Sequence, residues 1–202
     1  EQRVVRWIET WVKKRSKRMS LDRDRFGNLL LHSRAGAKGR DPLYITAHLD
    51  HPAFVVRDVI DDRTVELEFR GGVHTPYFEQ ARIEILDRRD EPRRATIEAI
   101  DADAKPFKRV RAHTSRGATR GLAAGDVGRW LLPKPRIASA RGRADAMQAK
   151  RLLFTHACDD LAAVAAALAA FDELAGRDGF GHVGLLFTLA EEVGFIGAIA
   201  AA

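Results

Sequence analysis

Cysteine is almost missing from this chain: of 202 residues, only Cys158 carries a thiol. No internal disulfide framework can form, and so thiol-poor a sequence matches a reducing compartment, with the cytoplasm as the expected location. Long apolar runs are missing too. Residues 161–171 are apolar throughout, but a helix that crosses a bilayer needs about 20 such residues, and alanine dominates this run. No charged-then-apolar secretory leader is visible. Membrane association is therefore not expected. A hydrophobic share of 46% and a charged share of 31% are ordinary for a globular protein with a real core, in one large domain or two small ones.

Basic residues thin out toward the end. Residues 151–202 hold 2 Lys/Arg against 7 Asp/Glu, whereas residues 1–52 hold 12 against 6 and residues 53–150 hold 20 against 15. The basic surplus raises the question of a nucleic-acid surface. Its densest part, Lys13-Lys14-Arg15-Ser16-Lys17-Arg18, lies at the end of a predicted helix, where cations complement the helix dipole. It reads as a solvated helix end, and nucleic acid is not an expected partner. The acidic surplus falls where the candidate cation ligands lie.

Val4, Val5, Ile8, Trp11 and Val12 recur at helical spacing and predict an amphipathic opening helix. Phe26-Gly27-Asn28 turns the chain into a strand over Leu29–His32, and a Gly/Lys-rich loop leads to a second over Leu43–Ala47. From Phe54 to about Leu132 the texture changes. Short alternating or β-branched runs appear at Phe54–Ile60, Thr64–Phe69, Ala81–Leu86, Ala95–Ile100 and Arg109–Thr114, separated by turn residues. Such spacing predicts a small barrel or sandwich. Residues 133–150, polar with two prolines, would carry the chain back. A helix is predicted over Leu161–Leu174 and a buried strand over Val183–Ala190. The fold class is α/β, a mixed sheet with flanking helices interrupted by a β-rich insertion. The expected division is residues 1–53, then 54–150 as the insertion, then 151–202.

Three short stretches place acidic or imidazole groups at strand ends or a helix start. In an open α/β sheet such positions face one crevice. His48 and Asp50 follow a strand, and in extended backbone they share a face. Asp50 is either a second ligand or the acceptor that orients His48. Asp159 and Asp160 open a helix, where an N-cap and a first-turn acid would explain either one alone. Glu191 and Glu192 end an apolar strand, and carboxylates there need partners. One can bind a cation while its neighbour acts as general base. One imidazole and several carboxylates suit divalent cations of the zinc, cobalt or manganese type. His32, His74, His113, His156 and His182 read as surface or structural, and Cys158 as a small buried apolar group.

Leu43-Tyr-Ile-Thr-Ala-His-Leu-Asp50, Cys158-Asp159-Asp160 and Glu191-Glu192-Val193-Gly194-Phe-Ile-Gly197-Ala198 together resemble the motif set of dinuclear metalloaminopeptidases of the glutamyl aminopeptidase and tetrahedral aminopeptidase (cellulase M-like) type. The resemblance runs the whole chain in the family's order, including a β-rich insertion after the first motif. It implies a zinc-peptidase-like fold, two divalent ions per subunit (zinc or cobalt), peptide substrates, and a homo-oligomer formed through the insertion. His48 would bind one metal, Asp159 would bridge both and Glu192 would bind the second. Glu191 would be the general base and Asp50 would orient His48. The Asp159–Asp160 peptide would be cis. The chain has His51-Pro52-Ala53 where the family usually has an acidic residue and glycine, and Leu161 where it usually has arginine. The family also uses a further Asp and His downstream of this point, so the chain is expected to be a C-terminally incomplete piece of a longer protein.

Overall fold

The opening periodicity becomes α1 (Gln2–Lys13), with Val5, Ile8 and Val12 buried on one face. The computed structural model describes residues 1–37, 39–138 and 151–201. By density of contacts the chain divides into two units: residues 1–51 with the segment from Thr155 onward, and Pro52–Phe154.

The first unit is built on a four-stranded sheet of β1 (Met19–Arg23), β2 (Leu29–Ser33), β3 (Leu43–His48) and β12 (Val183–Thr188). Its order is β1-β2-β12-β3. β12 runs antiparallel to β2 and parallel to β3, with Thr188 opposite His48. One face of this sheet carries Leu29, Leu31, Leu185 and Phe187. They pack with the α1 stripe and with Val164, Leu168 and Phe171 of α2 (Ala163–Leu174). Burying each such side chain stabilises the fold by about 1.5–3 kcal/mol. α2 is predicted over nearly the same span, but Cys158–Ala162 before it form a wide π-type turn. None of those five residues is buried, and the Cys158 thiol is exposed. The expectation of a buried Cys158 is therefore corrected: the turn rotates its side chain outward, away from the stripe that α2 presents to the sheet. A short α3 (Ile196–Ala201) follows β12. Among the described residues, no helix is long and apolar enough to cross a membrane.

The basic segment after α1 is tied down internally. The Arg15 guanidinium stacks on Trp11, 4.0 Å from the ring centroid, and its Nε donates to Asp172 Oδ2 at 2.9 Å. Arg18 donates to the other Asp172 oxygen and, at 2.7 Å, to the Asp172 backbone carbonyl. Arg15, and then Arg18, hold the Asp172 carboxyl below its ordinary pKa despite some burial. A depressed carboxylate contributes stability above its unfolded pKa, and that contribution is lost as pH falls through the folded value. Asp172→Asn is thus expected to cost about 0.5–1 kcal/mol at pH 7. The gap should close as pH drops below about 3.9. Urea midpoints of both proteins at pH 7 and pH 3 check this; an undiminished gap at pH 3 would assign the loss to packing rather than charge.

The second unit is a closed barrel of β4 (Ala53–Val59), β5 (Thr64–Arg70), β8 (Lys108–Thr114), β7 (Pro92–Asp101), β6 (Arg82–Leu86) and β9 (Val127–Trp130), in that order around the ring. All neighbouring pairs are antiparallel. Period-2 alternation sends Val65, Leu67 and Phe69 of β5 and Ile83 and Ile85 of β6 inward. Phe54, Phe69, Phe78 and Trp130 fill the barrel as a cluster of rings with centroids 4.8–6.1 Å apart, mostly edge to face. β10 (Arg136–Ala138) pairs with β11 (Leu152–Phe154) beyond the barrel. Most of the polar return segment, residues 139–150, lies outside the described residues.

Candidate metal centre

Parallel pairing of β3 and β12 brings their carboxyl ends side by side, so the loops that leave them meet. From β3 come His48 and Asp50, both buried. From β12 the chain passes through Leu189 and Ala190 to Glu191 and Glu192. The turn before α2 brings Asp159 and Asp160 to the same place. Hydrogen bonds between carboxylates and backbone amides lock the three loops together. Asp160 Oδ2 accepts the His48 backbone N–H at 3.0 Å. The two Asp50 oxygens accept the backbone N–H groups of Glu191 at 3.0 Å and Glu192 at 2.9 Å.

The His48 ring sits among acids. Its Nε2–H donates to Asp159 Oδ1 at 2.9 Å, and Glu191 Oε2 lies 3.8 Å from the same nitrogen. Nδ1 is 3.5 Å from Asp50 Oδ1, too long for a good hydrogen bond, and is a buried nitrogen without a partner. Asp50 thus clamps the glutamate loop more firmly than it orients the imidazole. One ligand atom each from His48, Glu191 and Glu192 lie within 4.8 Å of one another. Two donors on one zinc-sized ion stand no more than about 4.4 Å apart at bond lengths near 2.0–2.2 Å. The set is thus slightly open for a cation and of the right chemistry for one. The Asp159–Asp160 peptide is cis, as the resemblance implies.

Electrostatics agree with the donor set. Burial alone would depress the His48 imidazole, but the Asp159 hydrogen bond and the charges of Glu191, Asp50 and Asp160 outweigh it and raise its pKa. Burial, then the neighbouring Glu191 and Asp159 charges, push Glu192 up, with His48 opposing. Here the imidazolium proton occupies ground that a divalent ion would take, since only the neutral ring binds metal.

Several supporting residues carry no motif signal. Asn28, fully buried, reads in sequence as a turn residue after Gly27. In the structure its Oδ1 accepts the Leu189 N–H at 3.1 Å, while its Nδ2 donates to Gly197 O at 2.9 Å and to Asp24 Oδ2 at 2.7 Å. It therefore staples both ends of the glutamate loop. Gly197 is required there, because a Cβ would lie 2.4 Å from Leu189 O and 2.5 Å from Asn28 Oδ1. His51 Nδ1–H donates to Asp159 O at 2.9 Å, and His156 lies against His51 with ring centroids 5.9 Å apart. Inside the loop, Ala190 (φ 55°) and Phe195 (φ 58°) adopt left-handed backbone, at about 1–2 kcal/mol each for residues with a Cβ. A cavity of about 470 Å³ opens beside His48, Asp160 and Glu191, walled by Thr46, Leu186, Phe195 and Ala198.

No family model and no curated protein matches the chain. Solved structures do. An aminopeptidase from the archaeon Desulfurococcus kamchatkensis superposes with a TM-score of 0.66 at 23% identity, covering 91% of this chain and 49% of its own. The TET1 peptidase of Pyrococcus horikoshii, described as assembling into a tetrahedron or a large octahedral shell, gives 0.66 at 17% identity over 96% of this chain and 58% of its own. A TET aminopeptidase of a marine-sediment Thaumarchaeota archaeon gives 0.58 at 14% identity, with 89% and 51% covered. The chain therefore has the fold of the archaeal tetrahedral aminopeptidases and spans about half the length of those structures.

Proposed function

We propose that this protein is a metal-dependent aminopeptidase that removes N-terminal residues from peptides. His48, Asp159 and Glu192 are the ligands this chain contributes to two divalent ions, of zinc or cobalt type. Glu191 is the general base and Asp50 the positioning group. The observation that carries the reading is the meeting of His48, Glu191 and Glu192 ligand atoms within 4.8 Å, with Asp159 against the same imidazole nitrogen at 2.9 Å. Family resemblance of the three motifs and the shared fold support it.

A divalent ion held there supplies Lewis-acid polarisation of the scissile carbonyl and a lowered pKa for the attacking water. The protein's own groups do the rest. Glu191 takes a proton from the water as its oxygen adds to the carbonyl carbon. It then delivers that proton to the amine nitrogen as the C–N bond breaks. Asp50 holds the backbone of both glutamates, so that the base and the ligand keep a fixed spacing. Asp160 fixes the backbone of His48 in the same way.

The test is hydrolysis of leucine p-nitroanilide by the full-length protein. Activity is expected to vanish on treatment with a chelator and to return with added zinc or cobalt. Undiminished hydrolysis by protein shown metal-free by elemental analysis would sink the reading. We further extend self-association to this protein, through the barrel, because the Pyrococcus peptidase forms closed shells.

A further inference from the structure

We infer that the cavity beside Glu191 receives the apolar side chain of the substrate's N-terminal residue, and that Phe195 sets this preference. The inference rests on the peptidase reading above and names the substrate class for that site.

The cavity is continuous with the reactive groups: His48, Asp160 and Glu191 border it, and its volume of about 470 Å³ accommodates a leucine or phenylalanine side chain. Its walls away from those groups are aliphatic or aromatic, with Leu186, Phe195, Ala198 and Ala201 prominent. None of its lining residues is Lys or Arg, so an acidic side chain entering it would lose hydration without gaining a partner. A lysine would fare little better. Asp160 already accepts the His48 backbone N–H at 3.0 Å, and Glu191 faces the His48 ring at 3.8 Å.

Phe195 is the wall residue that the fold does not explain. Its φ of 58° is one that glycine adopts freely and a bulky residue does not. It is held by its N–H to Glu191 O at 3.0 Å and by the Ile196 N–H to Ala190 O at 3.1 Å. In return for that backbone cost the ring gains little burial: it is 57% exposed and stands outside the hydrophobic core of its unit. An aromatic kept in unfavourable backbone at the mouth of an apolar cavity, four residues from Glu191, gains its contact area only when something apolar enters. Strain of this kind concentrates at ligand clamps.

The experiment uses the full-length, metal-loaded protein with leucine, phenylalanine, alanine, glutamate and lysine p-nitroanilides. The parent is expected to favour leucine and phenylalanine over glutamate and lysine by about tenfold or more in kcat/KM. Phe195→Ala should raise KM for the two large apolar substrates about tenfold while leaving kcat within about threefold. The glutamate and lysine substrates should barely respond. Ala198→Phe, which fills the cavity, should reject leucine and phenylalanine but keep alanine. Phe195→Gly is the folding control and should melt no lower than the parent, since it relieves the backbone. A parent preference for a charged residue would overturn the inference. So would Phe195→Ala and Ala198→Phe shifting every substrate equally, or changing only melting temperature or assembly. In those cases hydrolysis itself persists and the peptidase reading stands. No hydrolysis of any anilide by metal-loaded parent overturns the reading and the inference together.

Discussion

Glu191→Gln is expected to lower kcat by about 10²–10⁴-fold while leaving bound metal nearly unchanged. Glutamine keeps the length of the side chain and a carbonyl oxygen but cannot accept a proton, so it removes a base without vacating space. Glu191 is placed for that work: it lies 3.8 Å from His48 Nε2, and its side chain is 25% exposed, within reach of water. Glu192→Gln should behave differently. A neutral amide is a poorer ligand for a divalent ion than a carboxylate, so metal content should fall and activity with it. The raised proton affinity of Glu192, which arises from burial and the surrounding carboxylates, defines the competing outcome, because a raised carboxylate is also a competent base. Elemental analysis beside the anilide assay separates the two. Loss of metal in Glu191→Gln with retention of metal and activity in Glu192→Gln reverses the pair. Parent rates in both variants place the chemistry elsewhere.

The acidic and imidazole groups of this centre were legible in the sequence because each sits where regular structure ends. His48 closes an apolar strand, Asp159 and Asp160 precede an apolar helix, and Glu191 follows β12. The elements that position them announce themselves by period. β5 alternates and turns Val65, Leu67 and Phe69 into the barrel, and α1 repeats every three or four residues and buries Val5, Ile8 and Val12. What sequence could not reveal depends on contacts distant along the chain. β1 follows α1 almost at once, and Ser20 and Asp22 dilute its apolar signal until it pairs with β2. β9 has four residues with Gly128 among them, and is a strand only because β4 and β6 flank it. Asn28 looks like a turn residue, yet its side chain bonds Leu189 and Gly197, more than 160 positions away. Asp160 looks like a helix cap and instead accepts the His48 N–H. Cys158 was assigned to the interior on residue type alone, which cannot register the outward rotation of a π-type turn.

Asp50 is the residue whose role the structure changes most, and its substitution carries the second large effect. Asp50→Asn is expected to destabilise the metal-free protein by about 1.5–3 kcal/mol, the range for losing a hydrogen bond to a charged group. Both Asp50 oxygens are engaged, one by the Glu191 N–H at 3.0 Å and the other by the Glu192 N–H at 2.9 Å. Asparagine has one carbonyl oxygen. Whichever way the amide turns, its NH₂ must face one of those two N–H donors, and the site is buried, with Asp50 only 7% exposed. Asp50→Ala removes both bonds but adds no opposing donor, so it should be no better than asparagine in kcat and could unfold at a similar denaturant concentration. Catalysis should fall further than stability alone would suggest, because a base displaced by about 1 Å costs on the order of 10²-fold. A role confined to orienting His48 makes a different forecast. Asp50 Oδ1 stands 3.5 Å from Nδ1 in the metal-free centre, so little stability depends on that contact. Under that forecast asparagine would lower metal affinity and leave the metal-free denaturation midpoint where it was. Urea titration of the metal-free variant decides between them, and an unchanged midpoint would return Asp50 to the imidazole.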